Sequence, residues 1–239
     1  MEILRFPTEG GWIDAARRAF LEALRAAEAR GSRTLRLCLA GGRTPEPVYR
    51  ALARLPLTGL RVELWLGDER EVDPGSPDRN GGLLVRAFRD CRWNPAPDLV
   101  PWPDGPAPDA CRSMEARLAS LAEPFFDLSF LGSGEDGHTA GVFPGGPELE
   151  ETLRRAVPST APAEPRARMT LTPRTLASTR ELRFLLRGTV KLALACRLAG
   201  DPASVPGPVP GSAGLLPVEV VVRLARAAGA GVSLLYCEK

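Results

Sequence analysis

The chain has 239 residues, 44% hydrophobic and 25% charged, which suits one large globular domain or two small ones. Its 24 glycines and 24 prolines form no periodic pattern, so a collagen, a coiled coil and a disordered tail are excluded. The 31 basic and 29 acidic residues are spread along the chain without blocks, which excludes a nucleic-acid-binding footprint.

The first predicted elements are a helix, a strand and a second helix. Apolar residues recur every three to four positions over Ile13–Ala27, and Gly31 follows as a stop signal. The segment Leu35–Leu39 alternates as a strand does and ends in Gly41-Gly42. A second helix opens at Pro45, because the fixed φ and missing N–H of proline are tolerated in a first helical turn.

Strands and helices keep alternating to the end of the chain, which predicts an α/β fold. We expect three layers, with a mainly parallel sheet and helices on both faces, and one domain over residues 1–239. The last predicted helix also alternates as a strand would. Predicted strands are Arg61–Leu66, Phe126–Leu131, Arg168–Thr172, Leu182–Leu186 and Val232–Tyr236; predicted helices are Leu83–Phe88, Asp109–Leu121, Val190–Leu198 and Val218–Ala228; predicted loops are the polar segment from Gly67, Asp73–Gly82 and Gly200–Gly214.

The glycine pair after the first strand is a candidate phosphate site, because ligands of open α/β sheets bind where strands end. Between a strand and a helix N-terminus, the main-chain N–H groups of Gly41 and Gly42 can converge on an anion. Thr44 adds a hydroxyl donor and Arg43 a positive charge. The same segment is also compatible with a simple tight turn followed by a helix cap. It is not a Walker loop, because it lacks the Gly-Lys-Ser/Thr ending.

The only histidine, His138, follows another predicted strand in the segment Gly132–Thr139. A Gly-x-Gly-x-x-Gly pattern occurs there, but a Gly- and Pro-rich stretch follows it and Val157 stands where a dinucleotide site needs an acid. We therefore reject dinucleotide binding. A lone histidine is more often structural, but an imidazole at a strand end, two residues after Asp136, is suited to act as a general base.

Charged residues also end the strand Arg61–Leu66. Asp68, Glu69 and Arg70 are expected at the same sheet edge, with Asp68 in the substrate site and Arg70 pairing with a carboxylate or stabilising an oxyanion. A solvated ion-pair cluster is the alternative.

Three further residues are candidates for binding the substrate. Lys191, one of two lysines, lies near the start of a predicted helix, and Arg168 starts a predicted strand. Both are candidates for binding the substrate phosphate from its outer side; the alternative is that they are ordinary solvent-exposed surface residues. Asn80 ends a polar loop and is either a ligand contact or the N-cap of a helix from Gly81.

At these residues the chain resembles the 6-phosphogluconolactonase family of the pentose phosphate pathway, within the glucosamine/galactosamine-6-phosphate isomerase superfamily. The matching segments run in the family's order and cover most of residues 35–198. They are LAGGRTP (39–45), LGDER (66–70), PDRNG (77–81), FDLSFLGSGEDGHTAGVFPG (126–145), RMTLT (168–172) and GTVK (188–191).

The resemblance implies a hydrolase without cofactor or metal that opens 6-phospho-D-glucono-1,5-lactone to 6-phosphogluconate. Where the family commonly has a serine, this chain has Arg43, and Ser133 and Gly141 replace larger or more polar residues. The implied roles are His138 as the base that activates water, Asp136 as its neighbour, Arg70 as a lactone or carboxylate contact, and Gly41 to Thr44 as the phosphate site, aided by Arg168 and Lys191.

Two alternatives remain open at this stage. The related glucosamine-6-phosphate deaminase/isomerase family is similar in fold but has the motif DEY at the strand end, where this chain has DER with Arg70 as its last residue. That family also has a glutamate five residues after the histidine, where this chain has Phe143. Sugar-phosphate sensors with a similar fold normally carry a DNA-binding helical domain. We expect no room for one here, because the strand pattern begins near residue 35.

The expected setting of the protein is the cytoplasm. The first five residues lack the features of a secretory signal, and the longest apolar run, Leu192–Cys196, is far shorter than the roughly 20 residues that span a bilayer. Five cysteines without a CxxC pair indicate reduced thiols and no zinc site. The expected partner is a small sugar-phosphate lactone, not a nucleic acid or a membrane, bound by a monomer or weak homo-oligomer.

Overall fold

A seven-stranded parallel sheet is the centre of the computed structural model, which describes residues 1–200 and 214–239. The strands are β1 (Glu2–Phe6), β2 (Thr34–Leu39), β3 (Arg61–Leu66), β4 (Asp68–Arg70), β5 (Asp98–Val100), β6 (Phe126–Leu131), β7 (Ala156–Thr160), β8 (Ala167–Leu171), β9 (Thr179–Arg187) and β10 (Gly231–Cys237). The helices are α1 (Glu9–Ala29), α2 (Glu46–Ala53), α3 (Asn80–Ala87), α4 (Ala107–Ala119), α5 (Pro173–Ala177), α6 (Leu192–Ala199) and α7 (Pro217–Ala227).

The order of strands in the large sheet is β1-β10-β9-β6-β2-β3-β5, and every neighbouring pair is parallel. The predicted parallel α/β architecture is therefore confirmed. From β2 the chain moves outward to β3 and β5, then returns to β6 on the other side of β2. This reversal opens a crevice at the carboxyl ends of β2 and β6, which is where ligands of such sheets bind.

Helix α1 illustrates how the core forms. The Thr8 hydroxyl accepts the Gly11 N–H at 3.3 Å and caps the helix, and Gly31 ends it with a φ of +69°. Trp12 and Phe20 are fully buried on its sheet side, and the Trp12 indole donates to the Leu235 carbonyl at 3.0 Å. Truncating such a buried ring to alanine costs about 3–5 kcal/mol.

The helices cover both faces of the sheet. Helices α1, α2 and α3 pack side by side on one face, because right-handed crossovers carry the chain from β1 towards β5. The return crossovers place α4, α5 and α7 on the opposite face, where α4 packs on β7 and β8.

A second sheet, which the sequence did not predict, contains three antiparallel strands in the order β4-β8-β7. The polar segment from Gly67 was expected to be a loop, but residues Asp68–Arg70 form β4 and pair with β8. The predicted strand Arg168–Thr172 is present as β8 but lies outside the parallel sheet. Strand β4 was missed because its partner β8 lies about 100 residues later, beyond the reach of local patterns. Strand β8 has a partner on each side, β4 and the nearby β7, and a local pattern does not show that these pairings place it in a separate sheet.

Other elements went unpredicted or have shifted ends. The short strands β1, β5 and β7 and the five-residue helix α5 were missed, and α3 begins at Asn80 inside the predicted loop Asp73–Gly82. The helical interpretation of Val218–Ala228 is confirmed by α7. The predicted loop Gly200–Gly214 lies, apart from its two end residues, outside the described residues. No helix among residues 1–200 and 214–239 is both long and apolar enough to span a bilayer.

Candidate active site

A cleft of about 240 Å³ lies at the reversal point, over the carboxyl ends of β2, β3, β6 and β9. Eight of the eleven predicted site residues line it, from five separate chain segments. They are Gly41, Gly42, Thr44, Asp68, Arg70, Asn80, His138 and Lys191.

The other three predicted residues lie around this cleft without lining it. Asp136 lies behind His138 and contacts its imidazole. Arg168 is opposite Arg70 in the β4–β8 ladder and is 8% exposed. Arg43 is exposed on a neighbouring cavity of about 290 Å³, so its side chain does not extend the predicted phosphate loop into the main cleft.

Asp136 holds the imidazole of His138 through one nitrogen. The Asp136 Oδ1 is 2.7 Å from the His138 Nδ1 and also accepts the main-chain N–H of His138 at 3.1 Å. A carboxylate at Nδ1 makes this nitrogen the donor and leaves Nε2 as the basic nitrogen. Burial of the Asp136 carboxyl opposes its ionisation, but the hydrogen bonds and charge of His138 outweigh this effect and lower the pKa of Asp136.

Two glycines of this loop lie where a side chain would not fit. A Cβ at Gly134 would lie 2.3 Å from His138 Nδ1, and one at Gly137 would lie 2.7 Å from the Leu216 side chain. Gly137 also has a φ of +81°, which favours glycine. Ser133, which the prediction left out of the site, donates its hydroxyl to the His138 carbonyl at 2.8 Å and closes the loop.

The ring of Phe143 lies against the imidazole of His138. Its ring centroid is 5.0 Å from that of His138, and the ring is 8% exposed. This is the position where the deaminase family has a glutamate. In this chain the imidazole therefore has an apolar neighbour on that side and its carboxylate partner at Asp136.

The loop after β2 presents unused donors to the cleft. Within the described residues, the main-chain N–H groups of Gly41, Gly42, Arg43 and Thr44 donate to no protein acceptor. Gly42 has a φ of +84°, and the α2 N-terminus follows directly, with no side-chain cap. Free N–H groups beside a helix N-terminus favour an anion.

Lys191 approaches the cleft from the other side, at the end of the short 3-10 helix Thr189–Lys191 after β9. Its ammonium donates to the Ser133 carbonyl at 2.5 Å. Burial lowers the pKa of Lys191, and the nearby charges of Glu135 and Asp136 oppose this effect.

A cluster of charges forms the third side of the cleft. Burial raises the pKa of Asp68, and the cation of Arg70 works against this rise. Burial and the Arg70 charge lower the pKa of Arg168. The Nη1 of Arg168 and the Nε of Arg70 are buried without a hydrogen-bond partner in the part of the chain that the structure describes. Two opposed guanidiniums with unused donors therefore lie beside the Asp68 carboxyl on this side of the cleft.

Asn80 is not the N-cap of its helix, so that alternative from the sequence is wrong. Arg79 occupies the N-cap position, and Asn80 is the first residue of α3. The Asn80 Nδ2 donates to the Asp68 carbonyl at 3.0 Å, while its Oδ1 is buried without a hydrogen-bond partner among the described residues. Glu69, which was not predicted as a site residue, accepts N–H groups at this helix end. The sequence signal for this role was Arg79 at the N-cap. Because an arginine side chain cannot accept a hydrogen bond, the N–H groups of the first helical turn need an acceptor from another part of the chain.

Comparisons with known proteins agree with this geometry. The family described as glucosamine-6-phosphate isomerases/6-phosphogluconolactonase matches residues 7–214. A protein of Pseudomonas putida named 6-phosphogluconolactonase is 37% identical over 169 residues, which cover 68% of this chain and 69% of that protein.

Two solved structures show the same fold. The 6-phosphogluconolactonase of Trypanosoma brucei has a TM-score of 0.76 at 24% identity, with 99% of this chain and 95% of the other covered. A monomeric glucosamine-6-phosphate deaminase has a TM-score of 0.72 at 19% identity, with 99% and 97% covered. The family match and the Pseudomonas relative together show that the chain belongs to the glucosamine-6-phosphate isomerase/6-phosphogluconolactonase family.

Proposed function

We propose that this protein hydrolyses 6-phospho-D-glucono-1,5-lactone to 6-phospho-D-gluconate. The observation that carries the proposal is one cleft lined both by the only imidazole of the chain, held by Asp136, and by Gly41, Gly42 and Thr44, whose main-chain N–H groups have no acceptor among the described residues. The name of the Pseudomonas relative supports lactone hydrolysis. Phe143 beside the imidazole, in place of an acid, favours it over deamination.

In the proposed reaction His138 acts as the general base. Its Nε2 takes a proton from a water molecule while the water oxygen forms a bond to C1 of the lactone. The tetrahedral intermediate then breaks the C1–O bond of the ring, and the imidazolium returns the proton to the departing ring oxygen. Asp136 stabilises the imidazolium between these steps, and Arg70 offers its charge to the oxyanion at C1.

The remote phosphate supplies the orientation. The N–H groups of Gly41 and Gly42, the Thr44 hydroxyl and the Lys191 ammonium are proposed to bind it, with Arg168 adding positive charge from behind the cleft. Holding the phosphate places C1 beside the imidazole and removes much of the entropic cost of the attack.

Asp68 and Asn80 are assigned to the sugar hydroxyls and not to the phosphate. The Asn80 Oδ1 and the Asp68 carboxylate are acceptors, so they pair with hydroxyl donors and would repel a phosphate dianion. The proposed chemistry uses protein side chains and water, in a single-domain cytoplasmic enzyme that acts as a monomer or weak homo-oligomer. Its five free cysteines, four of them buried, suit a reducing compartment.

The decisive test gives the purified protein freshly prepared 6-phosphogluconolactone and, separately, glucosamine 6-phosphate. We expect acid release from the lactone well above the uncatalysed rate, and no ammonia from the amino sugar. Ammonia release would favour the deaminase. Inactivity on both substrates, with binding of either sugar phosphate, would favour a sensor and refute the proposal.

A further inference from the structure

Glu69 is a buried carboxylate that lies behind the cleft without lining it. The residue is 1% exposed. Its Oε1 accepts the main-chain N–H groups of Arg70 at 2.8 Å and Asn80 at 2.6 Å, and its Oε2 accepts that of Gly81 at 2.7 Å. Two of its three partners, Arg70 and Asn80, are cleft residues.

The surroundings of Glu69 require a charged acceptor. Burying a carboxylate is costly unless hydrogen bonds and opposite charge compensate it. Here three N–H donors, the Arg79 Nε at 3.8 Å and the N-terminus of α3 provide that compensation. Every close partner is a donor, so the NH2 group of a glutamine at this position would face an N–H and lose at least one bond.

The position of Asn80 depends on this anchor. Its main-chain N–H is held by Glu69, and its side chain is packed so tightly on Gly41 that a Cβ at position 41 would be 2.1 Å from the Asn80 Oδ1. Asn80 is 2% exposed and connects α3 to the loop after β2. A displaced first turn of α3 would therefore move both the Asn80 acceptor and the loop that carries the free N–H groups.

We propose that Glu69 is a positioning residue of the active site, whose carboxylate fixes the first turn of α3 so that Asn80 is held between Asp68 and Gly41 for contact with the substrate. The identity of that substrate rests on the proposed function, whereas the positioning itself does not. A merely structural role would lower the stability of Glu69 variants without changing how Asn80 contributes to catalysis.

A double-mutant cycle separates the two roles. Glu69→Gln, Asn80→Ala and the double variant are compared by kcat/KM on 6-phosphogluconolactone, below the melting temperature of each. We expect about 10- to 100-fold losses for each single variant, because Glu69→Gln loses at least one hydrogen bond to a charged acceptor and Asn80→Ala loses both the bond to the Asp68 carbonyl and the proposed substrate contact. The double variant should lie within about threefold of the worse single one. Multiplying losses would overturn the proposal.

Glu63→Gln is the matched control. Glu63 lies within β3, with a side chain 14% exposed and an Arg36 partner at 3.0 Å, and it is outside the cleft. This variant is expected to lower the melting temperature with kcat/KM within about twofold of wild type. Should Glu69→Gln behave in the same way, Glu69 is structural and the proposal fails.

A spectroscopic readout keeps the proposal testable without activity. The chain has two asparagines, Asn80 and Asn94, and no glutamine, so a ¹H–¹⁵N spectrum contains two side-chain amide pairs. In Glu69→Ala the Asn80 pair should shift while the Asn94 pair stays in place; Glu63→Ala should leave both unchanged. An unshifted Asn80 pair in folded Glu69→Ala refutes positioning, even if the wild type hydrolyses no lactone. If the alanine variant does not fold, Glu69→Asp, which keeps the charge but shortens the reach, takes its place with the same expectation.

Discussion

Replacing Gly134 by alanine tests the catalytic geometry without removing any functional group. The added Cβ would lie 2.3 Å from both Cε1 and Nδ1 of His138 and 2.6 Å from Asp136 Oδ1. Carbon contacts are comfortable at about 3.5–4.0 Å, so the imidazole must move by about 1 Å or more. The backbone itself accepts alanine, because Gly134 is not among the glycines with positive φ.

The size of the effect follows from this displacement. A misplacement of about 1 Å at a reacting group costs on the order of 10²-fold in rate, and loss of the Nδ1 bond to Asp136 adds to it. We therefore expect kcat for 6-phosphogluconolactone to fall about 10²- to 10³-fold in Gly134→Ala. The KM should stay within about threefold of wild type, because the phosphate is proposed to bind at the separate loop after β2.

Gly132→Ala is the control for this experiment. At Gly132 a Cβ would have Ala40 Cβ at 3.8 Å as its nearest neighbour, which is an ordinary contact. Acid release, followed at constant pH with the uncatalysed rate subtracted, should show kcat within about twofold of wild type for this variant. If Gly134→Ala and Gly132→Ala turn over equally well, the imidazole position is not what sets the rate and the reasoning is wrong.

Three further outcomes are expected. Asp136→Asn should lower kcat about 10- to 100-fold by removing the charge that stabilises the imidazolium, and a steady-state rate equal to wild type would contradict this role. Lys191→Ala and Thr44→Ala should raise KM for the phosphorylated lactone, about 10- to 100-fold for the lysine, and leave unphosphorylated gluconolactone within about twofold; equal losses on both substrates would remove the phosphate assignment. Because the folded pKa of Asp136 is lowered, its contribution to stability is present above the unfolded value of about 3.9 and disappears as pH falls through the folded value. Denaturant unfolding should thus show wild type and Asp136→Asn converging below pH 4, and a constant gap down to pH 2 would oppose this linkage.

The sequence predicts the parallel core well because its strands are buried and locally patterned. Strands β3 and β6 have the predicted bounds, and β2 begins one residue early. Seven of the eight predicted cleft residues follow the ends of β2, β3, β6 and β9, which are neighbours in the sheet, so the carboxyl-edge rule brings these residues together. The eighth, Asn80, is placed by α3.

The unpredicted features depend on contacts that are distant in sequence. Strand β4 exists because β8 pairs with it, and edge strand β1 is half-exposed and has weak alternation. The proposed role of Glu69 depends on a helix that begins 11 residues later. The burial of the Glu69 side chain cannot be predicted from its place among three consecutive charged residues. The side chain of Arg43 lies on the neighbouring cavity and not in the main cleft. A sequence motif does not specify the direction of a side chain.

General-base catalysis by His138 is tested most directly by the turnover of His138→Asn on freshly made 6-phosphogluconolactone, together with the affinity of this variant for 6-phosphogluconate by calorimetry. We expect kcat to be lower by about 10²- to 10⁴-fold, with product affinity within about threefold of wild type. Turnover within tenfold of wild type, in a variant that still binds the product, would contradict general-base catalysis by this imidazole.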